Sequence, residues 1–153
     1  MVAADLTVRR ASADDLALVV PLFDGYRMFY GKPSDPDGVR RFLAQRFALE
    51  DSAVFLALSG ERAVGFTQLF PSLSSVSMAR IEILNDLFVA ADARGLGAGK
   101  ALLLAAKAQG REVGAVRLVL STAHTNTAAQ ALYEADGWQH DRDYRTYEFA
   151  LTT

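Results

Sequence analysis

The sequence contains no cysteine among its 153 residues. A disulfide framework, a thiolate zinc site and a cysteine nucleophile are therefore excluded. Long apolar runs are missing as well, since no stretch approaches the length of a membrane span. The N-terminal segment MVAADLTVRR also lacks the apolar core of a secretory signal peptide. These absences predict a cytoplasmic protein that does not enter a membrane.

An excess of positive charge is also missing. Sixteen Lys and Arg residues stand against 18 Asp and Glu residues, so the net charge is −2. Nucleic acid is therefore not expected to be the main partner. Hydrophobic residues make up 51% of the chain, and its length suits one domain with a sizeable core. We expect residues 1–153 to form a single domain without a bound metal.

Residue patterns along the chain predict strands that alternate with helices in the order β-α-α-β-β-β-α-β-α-β-β. Branched and aromatic residues favour strands, and apolar residues three or four apart favour helices. A strand–helix–strand unit in the middle favours parallel strands, whereas the hairpins around it favour antiparallel ones. The fold class is therefore α/β with a mixed sheet. The predicted strands include Ala63–Phe70 (closed by Pro71), Ile81–Val89, Ala115–Leu120 and a final hairpin of Trp138–His140 and Tyr144–Leu151.

A glycine-rich loop joins the strand Ile81–Val89 to a helix that includes residues 100–107. Glycine lets a backbone approach a ligand closely, and a helix N-terminus offers unpaired N–H groups. Together they predict an anion site, most often for phosphate. The spacing matches neither a Walker A loop, since Arg94 and Ala101 stand at two required positions, nor the dinucleotide fingerprint, since Lys100 replaces its third glycine. The remaining pattern is Arg94-x-x-Gly97-x-Gly99.

A second motif follows one helix and one strand later. Its sequence, NTAAQALYEADGW over residues 126–138, fits the pattern Asn-x-x-Ala-x-x-Leu-Tyr-x-x-x-Gly-(Phe/Trp). With the glycine loop, this motif resembles the GNAT superfamily of N-acetyltransferases. The phrase GYRMFYGKPSD and the segment around SSVS…ILNDLFV are similar to its histone- and polyamine-acetylase-like branch. The resemblance implies a mostly antiparallel sheet with a splayed central parallel pair and flanking helices.

The resemblance also implies that acetyl-CoA is the cosubstrate and that a primary amine is the acceptor: a small amine, an amino acid, a polyamine or a lysine side chain. Backbone groups of Leu87, Phe88 and Val89 would pair with the pantetheine arm, in a splay between the strands Ile81–Val89 and Ala115–Leu120. Asn126 would bond near the pantetheine or the thioester, and Tyr133 would protonate the departing thiolate. The pyrophosphate would be held by the loop residues Arg94, Gly95, Leu96, Gly97, Ala98, Gly99 and Lys100.

An amine acceptor requires a base, because an amine with a lysine-like pKa is protonated at neutral pH. Asp86 is the first choice, with Glu82 and His124 as alternatives. Strand alternation places Glu82 and Asp86 on one face, although a bulge would break that register. Glu82 is also interpretable as a solvated strand residue, and His124 as a surface loop residue. The tyrosines Tyr26 and Tyr30 are candidates for the acceptor site or for core packing.

Two rival functions stay open. One is a non-catalytic acyl-CoA sensor with the same fold, and the other is a nucleotide-phosphate binder, which the two failed spacings disfavour. The resemblance and an aromatic-rich C-terminal segment, Trp138 to Phe149, also predict a homodimer.

Overall fold

The computed structural model describes residues 5–152, which group into two compact units, Met1–Ser121 and Thr122–Thr153. The described part of the first unit holds a sheet with helices on both faces. Two short 3-10 segments, Ala13–Asp15 and Ala91–Ala93, precede α1 and α3. The main elements are β1 (Leu6–Arg10), α1 (Leu16–Phe29), α2 (Pro36–Leu49), β2 (Ala53–Ser59), β3 (Arg62–Ser74), β4 (Ala79–Val89), α3 (Ala98–Glu112) and β5 (Leu118–Val119).

The sheet has the strand order β1-β2-β3-β4-β5. The first four strands pair antiparallel, and β5 pairs parallel with β4. A parallel pair requires a crossover connection, which α3 supplies. The predicted α/β class with a mixed, mostly antiparallel sheet is confirmed.

Two hydrophobic clusters hold helices against the sheet. One joins side chains of α1 and α2 to Phe66 and Phe88 of the sheet. The other joins Leu102 of α3 to residues that include Leu87 and Val89. Since Phe88 packs with the first cluster and its neighbours with the second, β4 presents alternate residues to helices on opposite faces.

Helix ends follow the expected capping chemistry. Ser12 and Asp15 form a capping box, in which the Ser12 N–H donates to Asp15 Oδ2 at 2.8 Å. Arg9 also donates to both Asp15 oxygens, at 2.7 and 2.8 Å, and this ion pair lowers the pKa of Asp15 to about 2. At the start of α2, Asp35 caps the helix by accepting from the Gly38 N–H at 3.0 Å.

Strand β3 is longer than predicted, because it continues through Pro71 to Ser74. The pairing with β2 ends at Leu69, so beyond that residue β3 pairs with β4 alone. Glu82, the partner of Pro71, directs its N–H to Arg117 near β5 and not to β3. The missing N–H of Pro71 therefore lies on an open side, where proline is tolerated. The connection from β3 to β4 is a turn that starts after Ser74.

The second unit contains α4 (Thr127–Ala135). The predicted hairpin of Trp138–His140 and Tyr144–Leu151 is wrong: no strand occurs between residues 138 and 152. A hairpin gains stability when one face is buried, whereas Tyr147 and Phe149 are 84% and 87% exposed. The connection instead forms a local turn, in which Asp141 Oδ1 accepts from the N–H groups of Asp143 and Tyr144.

Candidate active site

The first part of the candidate site is the edge of β4 that faces β5. These two strands pair only at Glu82 with Leu118 and at Ile83 with Val119, so β5 is shorter than the predicted Ala115–Leu120. No described strand of the first unit pairs with this edge of β4 from Leu84 to Val89. The edge therefore leaves backbone donors and acceptors available to an extended ligand.

Alternation of backbone groups decides which residues face this open edge. The Ala90 N–H donates to Val64 O on the β3 side at 2.8 Å. Since successive residues of a strand direct these groups to opposite sides, Phe88 also faces β3 while Leu87 and Val89 face the open edge. The carbonyl of Val89 accepts from Arg94 Nε at 3.1 Å, which agrees with this assignment.

A bulge interrupts β4 at Asn85. Leu69 of β3 is opposite Leu84, but its neighbour Gln68 is opposite Asp86, so Asn85 is an extra residue. Directly opposite residues share a face and successive residues alternate. Leu84 and Asp86 therefore lie on opposite faces of the sheet. The expected common face for Glu82 and Asp86 is wrong, and the bulge is the physical reason.

Asp86 lies on the face that packs against α1 and α2. Its side chain is 5% exposed, and burial raises its pKa to about 6. Hydrogen bonds from Asn85 and Tyr26 partly oppose this rise. Asn85 Nδ2 lies 3.3 Å from both carboxylate oxygens, and the Tyr26 hydroxyl donates to Asn85 O at 3.4 Å. A carboxylate with this pKa can accept a proton at neutral pH.

Glu82 lies on the opposite face of the sheet and is 1% exposed. Its Oε1 accepts from Arg80 Nη2 at 2.8 Å. The interpretation of Glu82 as a solvated strand residue is therefore wrong. A charge buried at this depth is expected to be paired, and Arg80 supplies the partner. The sequence already indicated this ion pair, because Arg80 and Glu82 are two residues apart in a strand and therefore share a face.

The glycine loop lies between Val89 and α3. Gly95 and Gly97 have φ angles of +83° and +88°, a region that favours glycine, and Gly97 is the N-cap of α3. Gly99 and Lys100 lie in the first turn of this 15-residue helix, where N–H groups lack helical partners. The Arg94 guanidinium lies over the rings of Phe29 and Phe88, at 5.9 and 5.8 Å from their centroids.

The predicted acceptor tyrosines lie at the C-terminal end of α1. Tyr26 and Tyr30 have ring centroids 5.1 Å apart, and Tyr26 also contacts Phe66 and Phe88. Tyr26 therefore contributes to core packing and also reaches Asp86, while Tyr30 is 45% exposed. Asp24, which was not predicted, accepts from Ser34 Oγ at 2.7 Å and from the Asp35 N–H at 2.8 Å. Asp24 thereby fixes the loop that follows these tyrosines.

The second unit holds the other predicted residues. Asn126 is the N-cap of α4, and its Oδ1 accepts from the Ala129 N–H at 3.2 Å. Tyr133 lies two helical turns further along, partly buried, with its ring centroid 6.0 Å from that of Trp138. His124 is exposed in the preceding turn.

Two absences concern the described residues only. Between residues 5 and 152 no group of three or more His, Cys, Asp or Glu side chains is arranged to hold a metal ion. In the same range, no helix combines the length and apolar character that crossing a membrane requires.

Comparisons with known proteins agree with the fold. A protein of Bacillus subtilis described as the uncharacterized N-acetyltransferase YhfO is 44% identical over 142 residues, which cover 93% of this chain and 95% of that protein. A probable acetyltransferase of Haemophilus influenzae is 31% identical and covers 94% and 97% of the two chains. A crystal structure of a probable acetyltransferase aligns with a TM-score of 0.90 at 40% identity, over 96% of this chain and 99% of that one.

Residues 19–138 match the acetyltransferase (GNAT) family. The match spans most of the chain and includes β4, the glycine loop and α4. The chain therefore belongs to the acetyltransferase (GNAT) family and is an acetyltransferase of GNAT type.

Proposed function

We propose that the protein transfers an acetyl group from acetyl-CoA to a primary amine by direct attack of the amine nitrogen on the thioester. The observation that carries this proposal is Asp86, a buried carboxylate of raised pKa beside the open edge of β4. A protonated amine has to lose a proton before it attacks, and Asp86 is suited to accept it.

The open edge of β4 supports binding of the pantetheine arm. Leu87 and Val89 direct their backbone groups to this edge, where an amide-bearing chain can pair as an added strand. Phe88 stays a predicted contact, although its own backbone faces β3. The pyrophosphate would lie at the N-terminus of α3, where the residues from Arg94 to Lys100 offer N–H groups and a favourable helix dipole.

Asp86 is preferred to Glu82 and His124 as the general base. Glu82 is held in an ion pair with Arg80 and lies on the other face of the sheet. His124 lies in an exposed turn of the second unit and stays a predicted acceptor contact. Asp86 combines burial, a pKa of about 6 and contact with an aromatic side chain that borders solvent.

Tyr133 is proposed as the acid that protonates the departing thiolate, and Asn126 as a contact of the pantetheine or the thioester. Seven residues separate them, so both lie on nearly one face of α4. The developing oxyanion would accept a hydrogen bond from a backbone N–H of the open β4 edge. These roles rest on the motif over residues 126–138 that the family shares.

The reaction is tested by incubating the purified chain with acetyl-CoA and a panel of amines while release of the free thiol is followed. We expect turnover with at least one primary amine. The panel should contain small amines, amino acids, polyamines and a lysine peptide, because the similarity to the histone- and polyamine-acetylase-like branch stays a prediction. Binding of acetyl-CoA without turnover on any of them would favour the sensor function instead.

The loop assignment is tested by Gly97→Val. The valine side chain would enter the space proposed for the pyrophosphate, so we expect acetyl-CoA to bind at least tenfold more weakly, about 1.4 kcal/mol. Gly114→Val is the matched control, because Gly114 also has a positive φ of +73° with open space around it, but lies after α3. Equal affinities for the two folded variants would contradict the assignment.

The acid role is tested by Tyr133→Phe, which keeps the ring that packs near Trp138 and removes the hydroxyl. We expect kcat to fall by a factor within the range of about 10²–10⁴ that is typical of acid–base catalysis, with acetyl-CoA affinity unchanged. A kcat within about twofold of the unsubstituted protein, when chemistry is rate-limiting, would assign Tyr133 to packing alone.

A homodimer and a cytoplasmic location also stay proposals. Support for the dimer comes from the C-terminal segment, where Tyr144, Tyr147, Phe149 and Leu151 are all more than 80% exposed. Light scattering at tens of micromolar protein should give twice the mass of the chain, whereas a monomer would contradict the proposal.

A further inference from the structure

An exposed group of aromatic side chains adjoins the proposed base. The aromatic ledge is formed by Tyr26, Phe29 and Tyr30 at the end of α1. Phe29 and Tyr30 are 54% and 45% exposed, and their ring centroids lie 5.3 Å apart with planes at 83°. Tyr26 continues the ledge inward, at 5.1 Å from Tyr30 and with planes at 66°. Such edge-to-face contacts hold the rings in place and leave the ledge rigid.

The inner end of the ledge reaches Asp86. The Tyr26 hydroxyl donates to Asn85 O at 3.4 Å and lies close enough to the Asp86 carboxylate to act on its pKa. A ligand whose nitrogen lies at Asp86 would therefore place its next few atoms against Tyr26 and the atoms beyond them against Tyr30. Aromatic faces attract the ammonium group, and they also bind an apolar body by burial and stacking.

Charged groups of both signs lie around the ledge. Positive groups lie at its margins: Arg27, whose Nη1 donates to Pro33 O at 3.4 Å, and Arg94, which lies over Phe29. Two nearby carboxylates already accept hydrogen bonds, since Asp24 binds the 34–35 segment and Asp35 caps α2. Because these carboxylates accept only from neutral donors, charge alone does not distinguish a monoamine from a polyamine, and the aromatic rings are the feature that favours one kind of acceptor.

We infer that the acceptor is an amine whose nitrogen is joined by a short linker to an aromatic ring, and that Tyr30 determines this specificity. The inference rests on the proposed amine acetylation. In that step one ammonium proton passes to Asp86, the nitrogen forms a bond to the acetyl carbon, and the C–S bond breaks. The nitrogen then loses a second proton, which balances the proton that the thiolate takes from Tyr133. The products are the N-acetyl amine and coenzyme A, whose thiolate takes up a proton.

The test compares kcat/KM for 2-phenylethylamine, n-hexylamine, spermidine and a lysine peptide at saturating acetyl-CoA. We expect 2-phenylethylamine to have the highest value. Tyr30→Ala should lower that value about tenfold, in the range of a lost aromatic contact, and change spermidine by less than twofold. Tyr30→Phe should restore the rate, because it keeps the ring. Leu104→Ala is the control, since Leu104 is 64% exposed on α3.

The outcomes separate the two proposals. Spermidine or the lysine peptide as the best acceptor would overturn the inference and leave the amine acetyltransferase function intact. An equal loss on all four amines in Tyr30→Ala would also overturn it, because the side chain would then lack a role in selection. No acetylation of any amine, with acetyl-CoA shown to bind, would overturn the proposed function itself.

Discussion

Glu82 and Asp86 are two buried carboxylates on one strand, four residues apart, in opposite environments. Glu82 lies on the face of β4 opposite to that of Asp86 and is bonded to Arg80 at 2.8 Å. Asp86 lies on the face that packs against α1, contacts neutral Asn85 and Tyr26, and has a pKa of about 6. The difference lies in their partners, because Glu82 is held by a charged guanidinium whereas Asp86 contacts neutral groups.

The bulge at Asn85 creates this difference. Glu82 and Asp86 are four residues apart, and in a regular strand this even spacing would place both on one face. Because Asn85 is an extra residue without a partner in β3, the two carboxylates lie on opposite faces. Asn85 supplies the additional residue and also donates its amide to Asp86. Bulges commonly occur next to active sites, where they redirect a side chain.

The largest expected effect is on enzymatic activity, which should depend on Asp86 and not on Glu82. Asp86→Asn removes the proton acceptor while keeping the size of the side chain, so kcat/KM should fall by about 10²–10⁴. Glu82→Gln should leave kcat/KM within about threefold of the unsubstituted protein, since Glu82 is placed outside the proton transfer. If steady-state kinetics show a larger loss of kcat/KM for Glu82→Gln than for Asp86→Asn, the assignment of Asp86 as the base is contradicted.

A smaller effect is expected on the free energy of unfolding, which should respond differently to substitution of Asp86 and of Glu82. Asp86 has a raised pKa in the folded state, so its protonated form stabilises the fold. This stabilisation is fully present below the pKa that Asp86 has in the unfolded chain, and it is lost as the pH rises through about 6. Asp86→Asn should therefore raise the free energy of unfolding at pH 8 by up to about 3 kcal/mol, with the gain disappearing near pH 4.

The control for this stability measurement is again Glu82→Gln. It leaves the Arg80 guanidinium without its carboxylate, so it should destabilise the protein at pH 8. Urea unfolding at both pH values gives the two results together. A gain from Asp86→Asn that is equal at pH 4 and pH 8 would mean that ionisation of Asp86 does not oppose folding.

The sequence was sufficient for the features that depend on local pattern. The α/β class with a mixed sheet and the turn of Gly95 and Gly97 into α3 are confirmed. Each follows from residue types a few positions apart, and the family follows from two motifs of that kind.

Features that depend on pairing between distant segments were not predictable. The bulge is defined by which residues of β3 lie opposite β4, although the adjacent polar residues Asn85 and Asp86 were a visible break in alternation. The final hairpin was predicted over an aromatic-rich segment, but aromatic residues favour a strand only when they pack on a half-buried surface. In the structure these aromatic side chains are exposed.

The most direct test of the role of Asp86 is the pH dependence of kcat/KM for one amine acceptor. Asp86 accepts the proton only when it is ionised, so log kcat/KM should rise with a slope of one below about pH 6 and level off above it. Asp86→Asn should lack this rising limb at its residual rate. A limb that persists unchanged in Asp86→Asn would show that another group is the base.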